Sequence, residues 1–224
     1  MRVLSMSASF IWEPLVFYRE RQATPVRWWR GLAAPMICAA LYGVYQMRVV
    51  THLESAVVAS LAADSQVPVG FLLSTMYGMS VVAALTYPLL WVALAMSLVC
   101  IDVLWVGSEA HRRTIELTGI AFYSQLPALL LLIAGAWTLD PAALASLDLK
   151  SPTGMLQLQA SLAQQPLLNF ASSVSYLSQA WLCILCALAY ASVARIGAAA
   201  TAGLATALYV AFFLGTTVVR FMAA

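Results

Sequence analysis

Apolar residues run along this chain in long blocks broken by short polar ones. A bilayer-spanning helix needs roughly 20 apolar residues at about 1.5 Å rise each. On that measure the pattern predicts five spans, at about 31–50, 82–106, 117–138, 173–193 and 198–219. The second lies in a longer apolar stretch, 69–106, whose opening part FLLSTMYGMS either extends that helix or lies in the interface. A polar loop, DPAALASLDLKSPTGMLQLQASLAQQP, separates spans three and four. Residues 1–30 read as a polar, amphipathic head, and 31–224 as one transmembrane helical domain. Within the head, IWEPLVFYRER predicts a short helix with Pro14 in its first turn. Trp12, Phe17 and Tyr18 beside Arg19 and Arg21 predict that it lies in the interface, rings at headgroup depth and cations toward phosphates. In ATPVRWWRG, Thr24 is placed to N-cap the next helix and Pro25 to take its first position. Trp28 and Trp29, between Arg27 and Arg30, mark a membrane boundary. The fold class is all-α, a polytopic membrane protein with an interfacial amphipathic helix at its N-terminus.

Composition agrees. Of the 224 residues, 63% are hydrophobic and 9% charged, with a mean hydropathy of +0.89. A soluble domain carries about 25% charged residues, so lipid must solvate much of this surface. A net charge of +2 gives a nucleic-acid partner no electrostatic support. Cys38, Cys100, Cys183 and Cys186 all lie in apolar runs and read as small hydrophobes. Cys183 and Cys186 have redox-motif spacing, but nothing around them suggests a thioredoxin-like fold. The first residues make a poor signal peptide, because Glu13 and Pro14 end a short apolar run with no small-residue cleavage site.

Arginine sets the expected orientation. Five arginines precede span one: Arg2, Arg19, Arg21, Arg27 and Arg30. Arg112 and Arg113 lie between spans two and three, and Arg195 between four and five. The opposite loops, 51–81 and 139–172, carry only Lys150 as a cation, against Glu54, Asp64, Asp140 and Asp148. Arg48 and Arg220 are exceptions that snorkelling accommodates. The bias predicts a cytoplasmic N-terminus and, with five spans, a periplasmic C-terminus.

Intramembrane polar groups are costly and mark functional suspects. Asp102, two helical turns before the loop at Glu109, is the strongest. Two readings are open: a proton or ion site or half of an ion pair with Arg112, Arg113 or Arg195; or an aspartate at headgroup level. Pro88 and Pro127 fall inside spans two and three and free the carbonyls of Ala84 and Tyr123. Thr86, Tyr87, Tyr123, Ser124 and Gln125 stand near enough to partner them, in a hinge or in a static kink. In span five, Ala199, Gly203, Ala207, Ala211 and Gly215 recur every four residues, a flat stripe for close approach of another helix in this chain or in another subunit. No HExxH, GxSxG or phosphate-binding glycine loop is present. His52 and His111 fall in loops on opposite sides, so no metal or cofactor site is expected.

Two segments carry a resemblance. WEPLVFYRERQATPVRWWRGLAAPMICAALYGVY resembles the opening of bacterial members of the Yip (Ypt-interacting protein) domain family: a proline-containing aromatic helix, a second proline, basic residues and the first span. TGIAFYSQLPALLLLIAG, with Gly119, Tyr123, Pro127 and Leu129 to Leu132, is similar to the family's third span. The last two spans, with Trp181 and the small residues after Ile196, fit as well. The resemblance implies the same five-span topology that charge counting gives independently. Eukaryotic members of the family bind small GTPases through a long soluble region, but the head here has no acidic-aromatic DLYGP-like stretch, so that activity is not carried over. The expectation is a non-enzymatic bacterial inner-membrane protein, a subunit or scaffold beside envelope, transport or trafficking machinery. Its partners would be the lipid bilayer and other membrane subunits or itself. A small transporter or channel component using Asp102, Pro88 and Pro127 is the alternative, followed by a membrane-embedded enzyme acting on lipid.

Overall fold

The computed structural model describes residues 13–61, 69–107, 111–140 and 164–214. Among them every regular element is helical. In chain order these are α1 (Pro14–Gln22), α2 (Trp28–Leu61), α3 (Val69–Ala84), α4 (Thr86–Ile101) and α5 (His111–Ala121). α6 (Leu126–Trp137), α7 (Pro166–Ala194) and α8 (Ala198–Tyr209) follow. A π turn, Asp102–Val106, extends α4, and another, Val210–Leu214, extends α8; a 3-10 turn, Phe122–Gln125, joins α5 to α6.

Four helical runs are long and apolar enough to cross a membrane: Trp28–Glu54, Gly70–Val106, His111–Trp137 and Pro166–Ala194. Ala198–Leu214 is apolar but shorter. Large apolar side chains point outward along these runs, including Leu89 at 66%, Leu104 at 71%, Trp105 at 78% and Leu177 at 72% exposed. Water would penalise such faces and lipid does not.

Several boundaries differ from the hydropathy pattern. FLLSTMYGMS belongs to α3 and extends the second run, and 51–61 continues α2. The chain around 139–172 becomes helical well before 173, at Pro166. The third run starts at His111, not at 117, so the polar block HRRTIE is the first part of α5 rather than a loop. Hydropathy misplaces that start because Arg113 and Glu116 pair within the block and make further hydrogen bonds with the segment between α1 and α2. Thr24 does not cap α2: its Oγ1 donates back to the Arg21 carbonyl at 2.8 Å, and α2 begins only at Trp28. Pro14 is the first residue of α1. The rings of Phe17 and Tyr18 are buried in protein rather than laid out at headgroup depth. Trp12 and Gly215 lie outside the described residues.

The helices form two compact units. One contains α1, α2 as far as Ile37, α4, α5 with its 3-10 turn, α7 from Tyr176, and α8. Within it α2 and α5 approach closely. Pro35 lies inside α2 and supplies no N–H to the carbonyl four residues earlier, that of Gly31. Gly119 lies against that same carbonyl, and a Cβ added at Gly119 would overlap it. In return, a Cβ on Gly31 would sit 2.9 Å from the Glu116 Cα. Only glycine fits on both helices. Trp91 of α4 donates from Nε1 to the Ile115 carbonyl at 3.3 Å, on the same stretch of α5.

The other unit holds α2 from Cys38, α3, α6 from Pro127 and α7 up to Ser175. Leu53, Ala136, Leu139 and Leu168 form its core, with Tyr45, Val49, Met76 and Leu132 around them. Arg48 lies over the Trp137 ring at 4.2 Å, so a cation–π contact holds its charge.

Gly119→Ala forces α2 and α5 apart and should lower the melting temperature in detergent. The expected cost is the 1–3 kcal/mol usual for overpacking, or more. Gly43→Ala, whose new Cβ would meet only the Ala84 Cβ at 3.5 Å, should leave it unchanged. Equal losses in the two variants would show that the glycine contact is not the constraint.

Candidate functional site

α4 ends in a turn with one residue too many. The Gly107 N–H donates five residues back to the Asp102 carbonyl at 2.6 Å, and Gly107, at φ +67°, takes the left-handed conformation that glycine allows. The turn leaves Val103, Leu104 and Trp105 exposed and draws Asp102 inward to 1% exposure. There the Tyr190 hydroxyl, from α7, donates to Oδ1 at 3.2 Å. His111 Nδ1, from the first residue of α5, is 3.1 Å from Oδ2. An imidazole, a carboxylate and a phenol from three parts of the chain thus meet at the end of α4.

Asp102 is therefore shielded by protein, and a histidine and a tyrosine flank it rather than Arg112, Arg113 or Arg195. Arg112 and Arg195 are exposed, and Arg113 is engaged elsewhere. Its Nη1 donates to Glu116 Oε2 at 3.0 Å and its Nη2 to the Thr24 carbonyl. The Arg27 backbone N–H donates to the same Oε2 at 3.3 Å. Glu116 is fully buried, and its Oε1 has no hydrogen-bond partner among the described residues. This ion pair ties the segment between α1 and α2 to α5. Reading 107–116 as a loop counts Arg113 as an orientation signal and gives Glu116 no place. Burial also holds the Tyr18 phenol of α1 well above its ordinary pKa, so it stays neutral.

The two prolines act locally. Pro88 is the third residue of α4, and the chain turns at Leu85, whose N–H is shared between the carbonyls of Val81 at 3.3 Å and Val82 at 3.1 Å. Before Pro127 the helix tightens into the 3-10 turn. Gln125 Nε2 donates to the Ser178 carbonyl at 2.7 Å, and Ser178 Oγ donates to the Ser124 carbonyl at 3.1 Å. This two-way clasp fastens the turn to α7. Of the residues expected at the kinks, Ser124 and Gln125 serve it and Tyr123 faces outward.

α8 packs through Thr201, Leu208 and Phe213. Its small-residue stripe faces away: Ala199, Gly203, Ala207 and Ala211 are all exposed, and a Cβ on Gly203 would meet nothing within 4 Å. At the start of α2, Trp28 and Trp29 are exposed, with Arg30 over the Trp29 ring at 5.8 Å. Arg19 is exposed, and Arg21 lies over Phe17 at 5.4 Å.

The structure thus joins Asp102 to His111 and Tyr190, and Gly119 to Gly31, while Pro88, Tyr123 and the stripe stand apart from that cluster. The sequence pattern does not single out Gly31, His111, Glu116, Ser178 or Tyr190. Pro35, four residues after Gly31, was the available signal for the first of them. No protein-family model, curated protein or solved structure matches the chain.

Glu116→Ala would leave the Arg113 guanidinium buried without its counter-ion. Removing one partner of a buried pair costs about 3–5 kcal/mol. The variant should melt well below wild type in detergent, and Arg112→Ala, at an exposed position, should not.

Proposed function

We propose that this is a non-enzymatic, Yip-like protein of a bacterial inner membrane that works as a subunit or scaffold of a membrane complex. The reading takes Ala198–Leu214 with the apolar residues after it as a fifth span. The arginine bias then puts the N-terminus in the cytoplasm and the C-terminus in the periplasm. The outward-facing stripe on α8 carries the proposal. A transmembrane helix rich in small residues lets another backbone come close, and van der Waals contact then holds the pair. α8 already packs through a different face, so the stripe's occupant is a helix of a second copy or of a partner subunit.

The test is crosslinking in native membranes. With Cys100→Ser removing the one exposed thiol among the described cysteines, Ala207→Cys should give a crosslinked species that Gly203→Leu abolishes. A product at twice the chain mass means self-association, and any other mass a partner subunit. A monomer in mild detergent with no crosslink in membranes overturns the proposal.

The burial of Asp102 between His111 and Tyr190 favours a second reading, a proton-coupled transport component. Asp102→Asn keeps the shape but loses the charge. In reconstituted vesicles it should then abolish the pH dependence of proton flux; flux identical to wild type removes Asp102 from any such mechanism.

A further inference from the structure

Away from the Asp102 cluster, α1, the C-terminal end of α7 and the start of α8 enclose an open cleft of about 800 Å³. That is the size of a site for a whole small ligand. Among the described residues its charged lining is Arg19 and Arg195, with no acidic side chain. Gln22 and Ser192, also in the lining, are joined by a hydrogen bond from Gln22 Nε2 to the Ser192 carbonyl, which fixes α1 against α7. The remaining wall is mostly apolar, with Leu15, Ile184, Leu188 and Ile196.

Arg195 stands at an unusual position for its type. Its N–H donates to the Ala191 carbonyl at 2.9 Å, which ends α7, and its φ is +55°. That is the left-handed terminal position where glycine is the usual residue. Any residue with a Cβ holds it only at a backbone cost. Here the chain keeps a long cation where glycine would be easier, and that cation lines the cleft. Three residues on, α8 starts at Ala198, also in the lining, and its N-cap Gly197 gives no side-chain cap. Uncapped first-turn N–H groups add donors and a positive dipole end beside the two arginines.

We infer that this cleft binds one anionic glycerophospholipid, its phosphate held by Arg19 and Arg195 and an acyl chain laid along the apolar wall of α7 and α8. Two cations with no acidic neighbour in the described lining select an anion, and the guanidinium fork suits phosphate oxygens. The apolar wall selects an amphiphile over a small ion. Basic pockets between membrane helices are suited to lipid headgroups on general electrostatic grounds. The lipid would bridge α1 to the α7–α8 corner. That face of α8 is distinct from the stripe: Ala198 and Ala202, in the cleft wall, lie about 100° around the helix from Ala199 and Gly203.

Native mass spectrometry and thermal shift on the full chain in neutral detergent test this, with phosphatidylglycerol, phosphatidylcholine and inorganic phosphate as probes. Wild type should retain phosphatidylglycerol and melt higher with it, while phosphatidylcholine and inorganic phosphate give little of either effect. Arg195→Gly removes the cation and relieves the backbone, so without lipid it should melt at or above wild type. It should bind phosphatidylglycerol about tenfold more weakly, the loss expected for one charge-assisted hydrogen bond. Arg19→Gln should weaken binding similarly, and Arg112→Ala should bind as wild type does. Wild-type affinity in folded Arg195→Gly and Arg19→Gln overturns the inference. So does equal retention of phosphatidylcholine, or full stabilisation by inorganic phosphate alone.

Discussion

A proline that frees a carbonyl and a glycine that can reach it set the geometry of the first unit. Pro35 leaves the Gly31 carbonyl without its helical donor, and Gly119 comes against it because neither helix carries a Cβ there. With α2 and α5 that close, the Glu116 carboxylate falls beside the Arg27 N–H, and Arg113 reaches the Thr24 carbonyl. α5 in turn starts where His111 can meet Asp102. Backbone contact between glycines thus underlies the polar contacts, which require the helices to be near before they can form.

The long apolar helices were legible because their signal is local: twenty or so apolar residues in a row need no partner to be recognised. Gly119 and Pro127 were legible as residue types with permissive or restricted backbones, and Asp102 as a carboxylate out of place. Their partners were not. Tyr190 is 88 residues from Asp102, and Ser178 is 53 from Gln125. Glu116 was hidden for a related reason. A carboxylate just after two arginines resembles a solvated loop until a segment 89 residues earlier comes to cover it. Hydropathy records what a residue costs to bury and says nothing of who shares that cost.

The polar groups inside this protein serve different ends. Arg113 and Glu116 neutralise one another and hold a segment in place. Gln125 and Ser178 exchange hydrogen bonds where a 3-10 turn leaves the regular ladder. The Asp102 group differs because it brings a carboxylate, an imidazole and a phenol together from the ends of three helices. Arg19 and Arg195 differ again, as cations facing an open cleft whose described walls hold no carboxylate.

The π turn after Ile101 carries one residue more than a regular helix would. A surplus residue amounts to about 100° of azimuth. It allows one helix to present two faces: an apolar one for lipid along α4, and a polar one at its end for α5 and α7. The surplus is also discrete. It adds a whole step of rotation and no fraction of one, and that step fixes the direction in which Asp102 points.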